Sequence, residues 1–507
     1  MRPGNRRRAG HPADPGGVPG RPRPSPGPVG EEVRPGRRGD CRVTASVPGP
    51  VPAAQLKERA RAAIEACRER LLDLSEDLQR HPETGFREHR SAATVAGWFT
   101  ELGLPFESGL SLTGVKAHMS GRTPGPTVAV LGELDALVLP RHPLADPETG
   151  AAHACGHHAQ VASMIGAAVG LAAVRRHLEG DVAFLAVPAE ESVELEWRRE
   201  RVRAGELKHL VGKADLLARG AFDDVDMAML CHTSGQPARL SVGDSHNGSV
   251  VKRIVFTGRA SHAGSSPWHG VNALKAATLA ISAIDAQRDT FRDEDAVRVN
   301  AVLLHGGDAP TAVPDRAELE VVIRARTLDA LRGACAAVDR AARAGTVALG
   351  AGATVETTLN YLPHHQDPAL VALARTNGTA LFGPDSVAPG RHLGASTDMG
   401  DLGAVMPVLH PFTAGATGDA HSVDYAVTDH VLAALEPAVL MAWCVIDLLV
   451  DGAAGAHDVL ARRERRTAAE PDERPTADRY SDLRAGFDGL THYDGTHDTV
   501  RGTEGEL

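Results

Sequence analysis

Three short apolar runs recur along this chain: Val128-Ala129-Val130-Leu131, Val182-Ala183-Phe184-Leu185-Ala186-Val187 and Met227-Ala228-Met229-Leu230, with helix-like stretches such as Val161 to Val174 between them. Runs of this length, bounded by polar residues, read as buried strands, and strands alternating with helices pack as a largely parallel sheet. In such sheets the carboxyl ends of the strands line one crevice. Asp135, the pair Glu190-Glu191 and His232 each follow directly on an apolar run. Separate segments of chain therefore converge on a single site.

At 507 residues the chain exceeds the usual size of one hydrophobic core. From Val250 its texture changes: Val-Lys-Arg-Ile-Val-Phe-Thr-Gly, a helix from Val271 to Asp289, strands at Val297 to Leu304 and Ala317 to Arg324, a helix near Leu328 to Ala344, and a strand-like stretch from Thr354 to Tyr361. The expected fold is therefore α/β. A mixed, largely parallel sheet forms the catalytic domain over residues 51–247 and 363–455, and an α+β, ferredoxin-like unit is inserted over 248–362. Ala53 to Gln79 has one helical periodicity, stopped by His81-Pro82. The charged stretch Ser192 to Ala218, with Glu194, Arg198, Arg199, Arg201 and Arg203, reads as a solvated helix face. Residues 1–50, dominated by Pro, Gly and Arg, and the polar stretch 456–507 are expected to be disordered ends.

Aromatic content of 4% and a formal charge of −11 argue against a nucleic-acid partner. No signal-length apolar stretch follows Arg6-Arg7-Arg8, and no segment reads as membrane-spanning. Six scattered cysteines lack the spacing of a disulfide scaffold. The expected compartment is the cytoplasm.

The densest chemical signal is His153-Ala154-Cys155-Gly156-His157-His158. Thiolate and imidazole two positions apart, at the mouth of a helix, are good ligands for a zinc-like ion. A His-rich surface loop with an ordinary buried thiol is the other reading of the same residues. Pro188-Ala189-Glu190-Glu191 places two carboxylates at a strand end, where one can bind metal and the other carry a proton. Adjacent acids are also common in solvated turns. His421 sits in a Gly-containing stretch, Gly415 to Ser422, able to fold back over a site.

Together, Gly-Glu-Leu-Asp-Ala-Leu at 132–137, the 153–158 cluster, Pro-Ala-Glu-Glu, His232, Ser261-His262-Ala263-Gly264 and Asp419-Ala420-His421-Ser422 resemble the aminoacylase and carboxypeptidase family of co-catalytic metallopeptidases, in its amidohydrolase branch. The resemblance runs from about Gln55 to Leu449. It implies two divalent metal ions, zinc first, with manganese or cobalt as alternatives. Their ligands would be Cys155, His157, Glu191, His232 and His421, with Cys155 bridging. It further implies that Glu190 is the catalytic base, that Asp135 orients a ligand imidazole and that His262 polarises the scissile carbonyl. Asn300 and Arg324 would contact substrate, and the inserted unit would serve as lid and dimerisation domain of a homodimer. The implied substrate is a small amide: an N-acyl amino acid, an aminobenzoyl-glutamate-like conjugate or a dipeptide. His158 stands where the branch has Asp or Asn and offers an alternative donor, and Thr311 replaces a usual Asn before Val-Pro-Asp. Two other readings of the site are a thiol amidohydrolase built on Cys155 and a metal-stabilised binding protein without turnover.

Overall fold

The structure, a computed structural model, describes residues 51–467, 474–495 and 501–502. The expectation for residues 1–50 lies outside the described residues. The central sheet has six strands in the order Phe106–Leu110, Gly114–Ser120, Glu179–Val187, Thr123–Glu133, Met227–Met229 and Val408–Leu409. The last four run parallel and the first two add antiparallel, so the sheet is mixed. Val128 to Leu131 and Val182 to Val187 are buried on both faces, which explains why these strands read as unbroken apolar runs instead of alternating ones.

One face is covered by the helix His157–Ala172 and by Glu436–Leu449, with Ala53–Ala66 and Arg68–Arg80 packed outside them. On the other face Leu131, Leu185 and Val187 pack with Leu216 and Leu217 of Gly212–Ala218 and with Met399 and Leu402 of Met399–Val405. Ala53 to Arg80 is two helices, because the backbone at Cys67 (φ −100°, ψ 7°) leaves the helical region. The stretch Val431–Leu449 corrects the expectation that no segment has membrane-spanning character. It is long and apolar enough by length and composition, and 72% of its most apolar window is buried within the body, as in the core helix of a globular protein.

The inserted unit begins with the strand Gly248–Thr257 and ends with Gly352–Tyr361. Its strands lie in the antiparallel order Arg298–His305, Arg316–Ala325, Gly248–Thr257, Gly352–Tyr361, the β-α-β-β-α-β arrangement of a ferredoxin-like fold. Its helices, Ala273–Ala286 and Leu328–Leu349, start on side-chain caps from Asn272 and Thr327 and cover one sheet face. The helix side holds Val250, Ile254, Phe256, Leu319, Val321 and Ile323.

The supposed tail is corrected. Ala454–Thr467 and Thr476–Ala485 are helices, and Gly489–Asp494 is a strand paired antiparallel with Gly352–Tyr361. These elements look polar in sequence because their anchors are few. Tyr480 is fully buried and donates to Asp401 Oδ1 at 2.8 Å, while Arg484 donates to the Tyr480 hydroxyl at 2.9 Å and to the Leu359 carbonyl.

Candidate metal centre

The parallel strands deliver Glu133 and Asp135, Glu190 and Glu191, and His232 at one edge of the sheet. The fourth element is the turn into the helix His157–Ala172. Gly156 caps this helix with φ +96°, and a Cβ there would stand 2.5 Å from both Thr233 Cγ2 and the Tyr425 hydroxyl. Only glycine fits both the backbone angle and the space. Tyr425 donates to the Cys155 carbonyl at 3.0 Å and fixes the turn from outside.

Cys155, His157 and His232 form one group whose donor atoms all lie within 4.8 Å, and Cys155, Glu191 and His421 form another, so Cys155 belongs to both. Cys155 Sγ is 3.4 Å from His232 Nε2. His232 donates Nδ1–H to the Thr233 carbonyl at 2.7 Å, and His157 donates Nδ1–H to the Asp135 carbonyl at 2.9 Å with Oδ1 at 3.2 Å. Both histidines thereby turn Nε2 towards the thiol. Asp135, fully buried, also accepts the Glu191 amide through Oδ2 at 2.9 Å, so one carboxylate sets a ligand imidazole and a ligand backbone together. His421, held at φ +66° with its amide on the Ala154 carbonyl at 2.8 Å, brings Nε2 to 3.0 Å from Glu191 Oε1.

Burial alone would raise the Cys155 thiol, but positive charge on His157 and His232 holds it well below its ordinary value. Hydrogen bonds to Cys155 and Glu191 push His421 up to about 11. Burial, then the Cys155 charge, pushes Glu191 up to about 7. This is a pocket that stabilises concentrated positive charge. Thiolate, imidazole and carboxylate in this arrangement fit two divalent cations, which Cys155, His157, Glu191, His232 and His421 would hold. Glu190 is buried beside them, within 4.8 Å of His157 and Glu133, and burial with the neighbouring Glu133 and Glu191 charges raises its pKa well above the ordinary value.

A support that sequence reasoning did not assign lies beneath this group. Lys213, fully buried, donates to Glu133 and Asp398, and Glu133 Oε2 is 3.1 Å from His157 Nε2. Glu133 lies in the Gly-Glu-Leu-Asp motif, but its partners are 80 and 24 residues away. The solvated helix face expected over 192–218 is corrected by Lys213 and by Arg198, which is fully buried over the Phe86 ring at 5.2 Å and donates to the Leu210 carbonyl at 2.9 Å. Arg201 and Arg203 do pair with Glu206 and Glu196 near the surface.

His158 falls outside both donor groups. It is fully buried with its ring 5.0 Å from that of His153 and 5.9 Å from that of His430. His262 is exposed on the inserted unit, where its Nδ1 accepts the Gly264 and Ser265 amides at 3.1 Å each and leaves the proton on Nε2. Asn300 and Arg324 lie on neighbouring strands of the inserted sheet, Asn300 opposite Val322 and Arg324 opposite Ser249. The alternation of buried residues places both on the sheet face away from the helices. These three residues are not brought into the donor groups around Cys155.

Residues 129–442 match Peptidase family M20/M25/M40. The Xaa-Arg dipeptidase of Mus musculus is 29% identical over 394 residues, covering 72% of this chain and 82% of the relative. A p-aminobenzoyl-glutamate hydrolase component of Escherichia coli is 28% identical over 409 residues, covering 73% of this chain and 78% of the relative. Among solved structures, a dinuclear metal-binding M20 peptidase of Bacillus subtilis superposes with a TM-score of 0.62 at 22% identity, covering 76% of this chain and 99% of that one.

Proposed function

Because the chain belongs to peptidase family M20/M25/M40, we propose that it is a metal-dependent amidohydrolase using two cations to cleave a small dipeptide, N-acyl amino acid or aminobenzoyl-glutamate-like conjugate. The observation that carries this reading is the Cys155 thiol shared by two three-donor groups, with Glu190 buried alongside. The relatives named for dipeptide and aminobenzoyl-glutamate hydrolysis support the substrate class. A thiolate among imidazoles favours zinc.

Cations at Cys155, His157, Glu191, His232 and His421 would lower the pKa of a water from 15.7 to roughly 7. Glu190 takes the proton released as the amide carbon is attacked and returns it to the departing amine. Its raised proton affinity suits the second of these transfers. His262, with its proton fixed on Nε2, is the lid donor for the carbonyl oxygen, an interaction of a class worth roughly 3–4 kcal/mol. Asn300 and Arg324 are assigned to substrate contacts on the same unit.

Hydrolysis of a panel of dipeptides and acyl amino acids, before and after chelation and after reloading with zinc, manganese or cobalt, tests the reading. Activity should vanish with chelation and return with metal. Activity that survives complete metal removal would overturn it in favour of the Cys155 thiol hydrolase. Glu190→Gln should retain two metals and lose at least 100-fold in turnover, on the scale of a lost general base.

The proposed assembly is a homodimer through the inserted unit. Arg298–His305 is an outer strand of that sheet and exposes Val302 (50%) and Leu304 (53%), an apolar edge suited to a second copy. The cytoplasm is the proposed compartment, supported by the free thiols of Cys155, Cys231, Cys335 and Cys444.

A further inference from the structure

Away from the Cys155 groups, three more histidines meet. His246, His364 and His410 each offer a ring nitrogen within 4.8 Å of the other two, and all three are buried, at 3%, 0% and 2% exposure. Their ring centroids are 5.3 Å apart for His246 and His364, 5.3 Å for His364 and His410, and 5.8 Å for His246 and His410. Nδ1 of His246 and both ring nitrogens of His364 and His410 lack a well-formed hydrogen bond. Buried polar groups in native proteins are normally paired, and three buried imidazoles that each turn one nitrogen to the same place call for a common partner.

Their positions in the chain add a second argument. His246 lies two residues before Gly248, where the inserted unit's first strand begins, and His364 three residues after Tyr361, where its fourth ends. The two pair directly, His246 opposite His364 in an antiparallel bridge. His410 follows Val408–Leu409 of the central sheet, and its backbone is gripped on both sides by Gln366, whose Oε1 accepts the His410 amide at 2.9 Å and whose Nε2 donates to the His410 carbonyl at 2.8 Å. Both chain crossings between the two units thus present an imidazole to one on the body.

We propose that His246, His364 and His410 form a third divalent-cation site, which ties both crossings of the inserted unit to the central sheet. A tetrahedral zinc or cobalt ion takes nitrogen ligands at about 2.0–2.1 Å. Donor nitrogens within 4.8 Å of one another frame a space for one such ion, with a water as its fourth ligand. Burial holds the His246 imidazole down at about 3 and those of His364 and His410 well below their ordinary value, so all three are unprotonated ligands at neutral pH. The site shares no ligand with the Cys155 groups, although the His410 ring lies 6.0 Å from that of His232.

The test is cobalt stoichiometry on the metal-free full-length chain, by equilibrium dialysis and elemental analysis, with absorption spectra recorded alongside. The parent should bind three cobalt ions, and His364→Gln and His246→Gln two each, while both variants keep the Cys155 thiolate-to-cobalt charge-transfer band and the parent rate of amide hydrolysis. That band reports the catalytic pair separately, so loss of the third ion and failure of the catalytic reading are distinguishable. A parent that binds only two ions, or variants that still bind three, overturns the proposal. Should the variants lose near-ultraviolet circular dichroism, anomalous diffraction from a cobalt-loaded crystal of the parent decides: a peak among the three imidazoles upholds the site and its absence removes it.

Discussion

Asp135 shows how much a single side chain can organise. Its two oxygens hold the ring of His157 and the amide of Glu191, one residue from each donor group. Asp135→Asn keeps the shape but turns one acceptor into a donor, and is expected to lower metal affinity or turnover by about 10–100-fold. Metal titration beside steady-state kinetics checks this, and unchanged values in both would remove the orienting role. Asp401 gives a pH signature. Burial pushes its carboxyl up to about 7 from 3.8, so the native state holds a proton that the unfolded chain releases. Its effect on stability is therefore neutral below about pH 4, grows adverse as pH rises from about 4 to about 7 and levels off above that, at on the order of 4 kcal/mol in all. Asp401→Asn, whose amide oxygen can still accept from Tyr480, should flatten that slope and unfold at higher urea than the parent at about pH 8. Equal slopes in parent and variant would count against the burial argument. Cys155 and His157 are legible in sequence because the chain itself fixes their spacing. Lys213 is not, since its partners Glu133 and Asp398 lie 80 and 185 residues away and only the folded sheet edge joins them.

Elements differ in how far their sequences announce them. Thr123–Glu133 and Glu179–Val187 were readable because strands buried on both faces must be apolar throughout. Thr476–Ala485 was not, because three buried residues, Thr476, Tyr480 and Arg484, suffice to hold it and the rest of its surface is polar. Truncation after Thr467 should consequently strip Asp401 of its hydroxyl donor and the Leu359 carbonyl of its arginine. A fall in Tm of several degrees is expected, given that about 1 kcal/mol shifts Tm by at least ~2 °C in a large domain. The short helix Gly212–Ala218 depends on the opposite device, an internal charge. Lys213→Met would leave Glu133 and Asp398 buried without their cation, a loss of about 3–5 kcal/mol. Denaturant unfolding measures it, and a change under 1 kcal/mol would show that protonation of the two acids compensates.

At the scale of the whole molecule, the proposed association rests on the strand Arg298–His305. Leu304→Lys puts a charge into its exposed apolar edge and is expected to convert a dimer into a monomer, read by light scattering after size-exclusion chromatography. A parent protein already monomeric at micromolar concentration would remove the assembly from consideration. The alternation of helix and strand made the two units legible from sequence, while the far border of the inserted sheet was not. There the strand Gly489–Asp494 lies along Gly352–Tyr361 and, among the described residues, is itself bordered by the two-residue strand Arg501–Gly502. The C-terminal segment thus covers the flank opposite Arg298–His305 with the chain's own residues. Sheets with two long open flanks can recruit copy after copy into filaments. Among the described residues Arg298–His305 is the longer flank left open, so in the proposed dimer strand-to-strand growth would end once two chains have met.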